Sequence, residues 1–175
     1  MSSKTDFSPE EWTQVAASPM LVCTAVSAAD PSGLWGLMKE ASAGGFALVQ
    51  AKQDANTNSL ARVLADDFTN SESRTAITTK VQAVFKEAQA SEIKDRALVE
   101  LRAVASILDT KVPQDAPAFK NWLRNIAQKA AETAKEGGFL GFGGVAVSDA
   151  EKATLAEISA ALGTTPTTLS QPLRH

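Results

Sequence analysis

The chain has 175 residues, which is enough to bury the core of one domain and gives no reason to expect two. Hydrophobic residues make up 44% of the chain and charged residues 21%, as in an ordinary globular protein. The formal net charge of -3 excludes a strongly basic surface, so neither nucleic acid nor an anionic membrane is an expected partner.

The single cysteine and the N-terminal residues favour a cytoplasmic protein. Cys23 cannot form an internal disulfide, and its apolar neighbours Leu21 and Val22 predict a buried thiol. Residues 1–7 lack the apolar stretch of a signal peptide. The longest uncharged stretch, 13–29, is too polar for a membrane span, which needs about 20 predominantly apolar residues. We therefore expect a cytoplasmic protein with no integral membrane segment.

The N-terminal part of the chain predicts two helices that are separated at Ser18-Pro19. Ser8 is suited to cap the first helix, with Pro9 at its first position and Glu11 completing a capping box. Ser18-Pro19 repeats this start signal. Residues 20–29 are apolar on all sides, which is typical of a helix surrounded by other helices. We expect this second helix to form the buried centre of the fold.

Apolar residues recur at helical spacing through the rest of the chain. They predict a third helix over 34–53, interrupted at Gly44-Gly45, and five more over about 60–68, 72–90, 91–112, 116–136 and 149–162. No segment has a convincing strand pattern. We therefore predict an all-α fold, a single-domain antiparallel bundle of seven or eight helices around the buried apolar second helix. The domain would span 1–163, including an N-terminal arm at 1–6, and a flexible C-terminal tail would follow at 164–175.

The most unusual stretch is Gly137-Gly138-Phe139-Leu140-Gly141-Phe142-Gly143-Gly144, which holds five of the ten glycines and two of the seven phenylalanines. A glycine-rich backbone has wide conformational freedom, yet this one carries large apolar side chains. These side chains either fold back over the ends of the bundle or contact a partner. The stretch lacks the Lys-Ser/Thr ending and the preceding strand of a phosphate-binding loop. We predict an interaction loop over 137–144, which binds a protein partner or a second copy of the chain.

Side chains suited to catalysis are few. The only histidine is the last residue, His175, and there is no tyrosine, so a histidine-activated nucleophile has no credible members. We therefore expect a protein that is not an enzyme and has no cofactor. An alternative is a divalent-cation site, because Glu132, Glu136 and Asp149 could together hold calcium or manganese if the loop folds back.

The C-terminal stretch carries a resemblance to a known family. Its residues are Gly143-Gly144-Val145-Ala146-Val147-Ser148-Asp149-Ala150-Glu151-Lys152, followed by Leu155, Ile158, Ala161, Leu162 and Gly163. This pattern of a glycine turn, an acidic helix start and a leucine-glycine finish resembles the closing helix of tellurite-resistance B-type (TerB-like) helical domains, which are bacterial stress-associated proteins. The resemblance implies an all-helical fold and a stress or envelope-associated role, and no activity. Where that family places a metal-binding aspartate before the glycine turn, this chain has Phe142-Gly143.

Three functions are therefore expected from the sequence. The first is a non-enzymatic bacterial interaction or assembly protein that uses the loop 137–144 as its contact surface. The second is a divalent-cation-responsive TerB-like domain. The third is a carrier of a hydrophobic ligand, with a pocket between the predicted second and third helices.

Overall fold

The computed structural model describes residues 2–29, 58–136 and 149–164. Over these residues the chain is all-helical and has no strand, which confirms the all-α class. The six α-helices are α1 (Pro9–Ala28), α2 (Ser59–Asp67), α3 (Ser71–Phe85), α4 (Ile93–Lys111), α5 (Ala116–Glu136) and α6 (Asp149–Ala161). Short 3-10 helices span Lys4–Asp6 and Ala90–Glu92. The predicted third helix, with its Gly44-Gly45 interruption, and the tail at 165–175 lie outside the described residues.

The start of α1 follows the predicted capping box. The backbone N–H of Glu11 donates to the Ser8 hydroxyl at 3.2 Å, and the Ser8 N–H donates to the Glu11 carboxylate at 2.8 Å. Just before the cap, the ring of Phe7 packs on the ring of Trp12, with 5.6 Å between centroids. These contacts satisfy two N–H groups that the first helical turn leaves without partners, and they set the angle at which the chain enters the helix.

The predicted break at Ser18-Pro19 is wrong, because α1 continues through Pro19. Proline has no N–H, so the carbonyl of Val15 loses the donor that a helix normally supplies from four residues ahead. The Ser18 hydroxyl replaces that donor by binding the Val15 carbonyl at 2.6 Å. The predicted second helix is therefore the C-terminal half of α1, and the first two predicted helices are one.

The C-terminal half of α1 is largely buried. It contributes Leu21, Val22 and Ala25, which are all fully buried. Along its length α1 contacts α3, α4, α5 and α6. Buried side chains from the other five helices and Leu162 join α1 in one cluster, which includes Leu60, Ile77, Leu101, Leu108, Phe119, Leu123, Ile158 and Leu162. The thiol of Cys23 is buried, as predicted, and burial raises its pKa to about 12, so it stays protonated and unreactive at neutral pH.

The end of α3 differs from the sequence expectation. The helix was expected to run to about Ala90, but it stops at Phe85, and Glu87 adopts a left-handed φ of 59°. The Arg96 guanidinium, on α4, donates to the carbonyls of Val84 and Lys86 at 3.4 and 3.1 Å. The guanidinium of Arg96, on the next helix, thus donates to carbonyls that the end of α3 leaves without backbone donors.

None of the helices within 2–29, 58–136 and 149–164 is both long enough and apolar enough to cross a lipid bilayer.

The Ser18 hydroxyl is expected to be necessary for the stability of α1. Ser18→Ala should lower the free energy of unfolding by about 1–3 kcal/mol, because it leaves the buried Val15 carbonyl without a donor. Urea unfolding followed by circular dichroism measures the change. Ser27→Ala is the matched control, since the Ser27 hydroxyl also binds a carbonyl of its own helix, that of Cys23, but no proline removes the backbone donor there.

A Pro19→Ala variant provides a second control for the hydrogen bond to the Val15 carbonyl. In a Pro19→Ala background the alanine N–H can bind the Val15 carbonyl, so Ser18→Ala should cost less there than in the wild type. An equal cost in both backgrounds would contradict the role assigned to Ser18.

Candidate interaction surface

The residues of the predicted interaction loop, Gly137-Gly138-Phe139-Leu140-Gly141-Phe142-Gly143-Gly144, lie outside the described residues. The loop therefore stays a prediction. The described helices that flank it are α5, which ends at Glu136, and α6, which begins at Asp149.

The three predicted cation ligands are placed only in part. Glu132 is exposed on α5 and accepts a hydrogen bond from the Gln128 amide at 2.8 Å. Asp149 is fully exposed in the first turn of α6, where the Lys152 ammonium lies 3.4 Å away. The side chain of Glu136 lies outside the described residues. Across the described ranges no three His, Cys, Asp or Glu side chains cluster in a way that could hold a metal ion. The calcium or manganese site stays a prediction.

A shallow, open depression of the described surface lies between α3 and the start of α4. This α3–α4 groove has a volume of about 500 Å³ and is lined by Ala83, Val84, Glu92, Asp95, Arg96, Val99 and Glu100. Val99 is 58% exposed, and it is the one large hydrophobic side chain that the described ranges leave exposed. The groove therefore combines an apolar patch with a charged rim.

The groove exists because α3 is packed lightly against its neighbours. Ile77 is the single buried residue of this helix, while Val81, Val84 and Phe85 are only partly buried. Serine, threonine, lysine and glutamine occupy most of its other positions, so the helix has a narrow apolar face. A narrow face leaves the side of α3 toward Val99 open to solvent.

Two polar networks fix the width of the α3–α4 groove. Arg96 connects α4 to the end of α3 through its two carbonyl contacts, and it also donates to the Glu92 carboxylate at 3.4 Å. Glu100 accepts from the Lys80 ammonium of α3 at 3.1 Å and from the Gln14 amide of α1 at 2.9 Å. Both walls of the groove are therefore held by bonds between helices, so the groove is preformed.

Sequence reasoning did not find Val99, although a signal was present. The buried face of α4 follows the predicted period through Ala97, Leu101 and Leu108. Val99 falls off this period and stands among the alternating charges of the outer face. A β-branched apolar residue that is out of phase with its own helix marks a position that the core does not use.

A second, smaller cavity lies beneath the N-terminal arm. It encloses about 220 Å³ among residues that include Lys4, Trp12, Asp67 and Ile77. The Asp67 carboxylate accepts from the Trp12 indole N–H at 2.8 Å and from the Lys4 ammonium at 2.8 Å. Burial raises the pKa of Asp67, but the hydrogen bonds from Lys4, Trp12 and Ser73 outweigh that effect and hold it below its ordinary value. Asp67 thereby joins the arm to α1 and the end of α2.

The arm makes one more contact with the body of the protein. The backbone N–H and the hydroxyl of Ser2 both donate to the Asp115 carboxylate, just before α5. These hydrogen bonds lower the pKa of Asp115. Residues 2–7 therefore connect the end of α2, at Asp67, to the start of α5, at Asp115, and so have a structural role.

A buried lysine is the other feature that the sequence did not indicate. Lys120 is 5% exposed, and its ammonium donates to both carboxylate oxygens of Asp109 at 2.7 Å. Asp109 is largely exposed, so the carboxylate of the pair stays in contact with solvent while the ammonium is buried. The Lys120–Asp109 pair joins α5 to α4, and these two hydrogen bonds account for the burial of the Lys120 ammonium.

No known protein family matches this chain, and no curated protein sequence or solved structure shows significant similarity to it.

The stabilising effect of Asp67 should depend on pH. Because its folded-state pKa lies below the ordinary 3.8, its contribution is present above that value and is lost as the pH falls through the lowered pKa. Asp67→Asn should therefore destabilise the protein by about 1 kcal/mol at pH 7 and by much less at the acid end of the folded range.

Urea unfolding at pH 7 and under acid conditions measures this difference. Glu132→Gln, which neutralises an exposed carboxylate on α5, is the control and should show no such change. A destabilisation by Asp67→Asn that is equal at both pH values would contradict the role of the carboxylate charge.

Proposed function

We propose that this protein is a non-enzymatic helical interaction protein, and that the α3–α4 groove is a surface on which it holds a protein partner. The observation that carries the proposal is the position of Val99, an exposed valine within a preformed groove. A single exposed valine is ordinary on a protein surface. This valine is set apart because it lines a concavity whose walls are fixed by Arg96 and Glu100.

The energetics favour a partner that covers this patch. Burial of an exposed valine side chain contributes about 1–2 kcal/mol, and the preformed walls reduce the entropy lost on binding. The ion pairs that hold the walls are already made in the free protein, so a partner does not have to desolvate and rearrange them.

The loop at 137–144 is proposed as a second contact surface of the same protein. Its support is the alternation of glycine with Phe139, Leu140 and Phe142. The resemblance at the C-terminal end supports a bacterial, stress-associated setting, and the composition supports a cytoplasmic location. The six described helices and the predicted helix at 34–53 would make an all-α domain of seven helices.

The groove is tested at Val99. Val99→Asp places a carboxylate on the apolar patch and should weaken capture of a partner by about tenfold or more, because it removes an apolar contact and buries a charge. Full-length protein immobilised as bait, followed by mass spectrometry of retained proteins, measures the effect. Ala118→Asp places the same carboxylate on an exposed turn of α5 and should leave capture unchanged.

Both variants should keep the wild-type circular dichroism spectrum, since both positions are exposed. Partners retained equally by the wild type, Val99→Asp and Ala118→Asp would show that the groove is not the contact surface.

The loop is tested separately. Replacement of Phe139, Leu140 and Phe142 by serine should abolish self-association or partner capture without a change in helicity, because the apolar contact surface is lost. Sedimentation velocity and circular dichroism measure the two properties. A loss of folding would instead identify the loop as a plug over the bundle, and unchanged association with unchanged folding would exclude it as a contact surface.

A further inference from the structure

Residues 2–6, here called the strap, are joined to the helices through two carboxylates. The backbone N–H of Ser2 donates to the Asp115 carboxylate at 2.9 Å, and the Ser2 hydroxyl donates to the same group. The Lys4 ammonium lies 2.8 Å from the Asp67 carboxylate. The 3-10 helix within the strap has no buried residue. The attachment of the strap therefore depends on polar contacts to Asp67 and Asp115 rather than on apolar burial.

Phe7 marks the boundary between the strap and α1. Its side chain is 8% exposed, and its ring packs on the ring of Trp12 with 5.6 Å between centroids. The capping box of Ser8 and Glu11 is made within the start of the helix and does not involve residues 2–6. Separation of the strap therefore leaves the start of α1 intact, and the Phe7 contact keeps the strap close to its site.

The charge of Asp67 favours the closed position of the strap. The Asp67 side chain is 16% exposed, and Lys4 and Glu72 are the other charged residues that line the cavity beside it in the described part of the chain. If the strap leaves, a partly buried carboxylate keeps the Trp12 N–H but loses its counter-charge and faces a like charge. This open state is unfavourable while Asp67 is ionised, and protonation of Asp67 removes the penalty. Charged residues of the neighbouring helices that do not line the cavity are Arg62 and Asp66 on α2, Glu10 and Glu11 on α1, and Arg74 and Lys80 on α3.

Asp115 holds the other end of the strap in the same way. Both hydrogen bonds from Ser2 end on its carboxylate. The lysines that flank it in the chain, Lys111 and Lys120, form ion pairs with other carboxylates. An ionised carboxylate is a stronger acceptor than the neutral acid. Protonation of Asp115 therefore weakens the attachment of Ser2.

We propose that the strap opens while the six helices stay folded, and that ionisation of Asp67 and Asp115 keeps it closed. Opening uncovers the cavity of about 220 Å³ that has Trp12 and Asp67 in its wall. Local opening of this kind costs less than global unfolding, because few buried contacts are lost. The strap is thus an acid-sensitive device, and it acts on a surface separate from the α3–α4 groove.

The direction of the pH dependence follows from the two carboxyl groups. Burial raises the pKa of Asp67, but its hydrogen bonds outweigh that effect and lower it, and the hydrogen bonds from Ser2 lower the pKa of Asp115. Both groups therefore titrate below the ordinary 3.8. Their contribution to closure is present above that value and is lost as the pH falls through the lowered pKa values.

The experiment reproduces the protonated carboxyl groups at neutral pH by Asp67→Asn together with Asp115→Asn. A fluorophore on Thr5→Cys, an exposed position of the strap, reports the motion of the strap in the full-length protein. Labelling is selective because burial raises the pKa of the Cys23 thiol to about 12. Time-resolved fluorescence anisotropy measures the motion, and circular dichroism measures the helices. At pH 7 we expect a restricted label without the two Asn substitutions and a severalfold larger mobile fraction with them, at equal helicity.

Matched variants separate the strap contacts from a general change of charge. Glu132→Gln together with Asp149→Asn neutralises two exposed carboxylates elsewhere and should leave the label restricted. Lys4→Gln removes the counter-charge of Asp67 and should raise the mobile fraction severalfold, whereas Lys4→Arg keeps the charge and should not. Because the Lys4 side chain is 49% exposed, neither change at this position should disturb the helices.

Acid titration of the labelled protein gives the remaining test. The label should become mobile below about pH 3.8, at a higher pH than the one at which helicity is lost. Release that coincides with the loss of helicity would overturn the proposal, because the strap would then be part of the cooperative fold. A label that stays restricted in the Asp67→Asn, Asp115→Asn variant would also overturn it. If that variant loses helicity at pH 7, equal mobility of Lys4→Gln and Lys4→Arg would overturn the proposal and a mobile Lys4→Gln alone would support it.

Discussion

The continuity of α1 is the constraint on which the rest of this structure depends. Four other helices pack against it, and its side chains from Val15 to Ser27 are buried on nearly every side. A proline at position 19 would ordinarily end or kink such a helix at a cost of about 3 kcal/mol or more. The Ser18 hydroxyl binds the carbonyl to which Pro19 has no N–H to donate, and α1 continues as one helix against which α3, α4, α5 and α6 pack.

Charged side chains position the outer helices around that axis. Lys111 pairs with Glu11, Lys94 with Glu157 and Lys80 with Glu100, and each pair joins two different helices. Exposed pairs of this kind contribute about 0–1 kcal/mol each, so their role lies in geometry more than in stability. Lys120 differs because it is buried, and its two hydrogen bonds to Asp109 compensate for the water that it has lost.

The packing of α3 and α4 explains why the α3–α4 groove is open. Helix α4 uses its regular apolar face for the core and its outer face for ion pairs, and Val99 lies on the outer face without an ion-pair role. Helix α3 is joined to α4 by Lys80 and by the carbonyls that bind Arg96, and it buries only Ile77. These polar contacts join α3 to α4, and the space that remains between the two helices is not filled by the core. The proposal of an interaction surface follows from that geometry.

Short-range hydrogen bonds and helical periodicity were sufficient to predict most of the described helices. The capping box at Ser8, where the Glu11 N–H donates to the Ser8 hydroxyl at 3.2 Å, is a local contact and was readable in the sequence. The buried face of α4 was likewise readable, because its period requires only that one side of a helix meets the core.

Tertiary structure alone decided the remaining features. The carbonyls of Val84 and Lys86 at the end of α3 are bound by Arg96, which lies on the next helix. The burial of Lys120 depends on a partner in another helix, and the groove at Val99 depends on how narrowly α3 packs. The sequence by itself determined where helices start and which faces are apolar, since those are set by neighbours within about one or two turns. Which carbonyls and charges meet across helices was decided by packing, because contacts between distant residues exist only once the chain is folded.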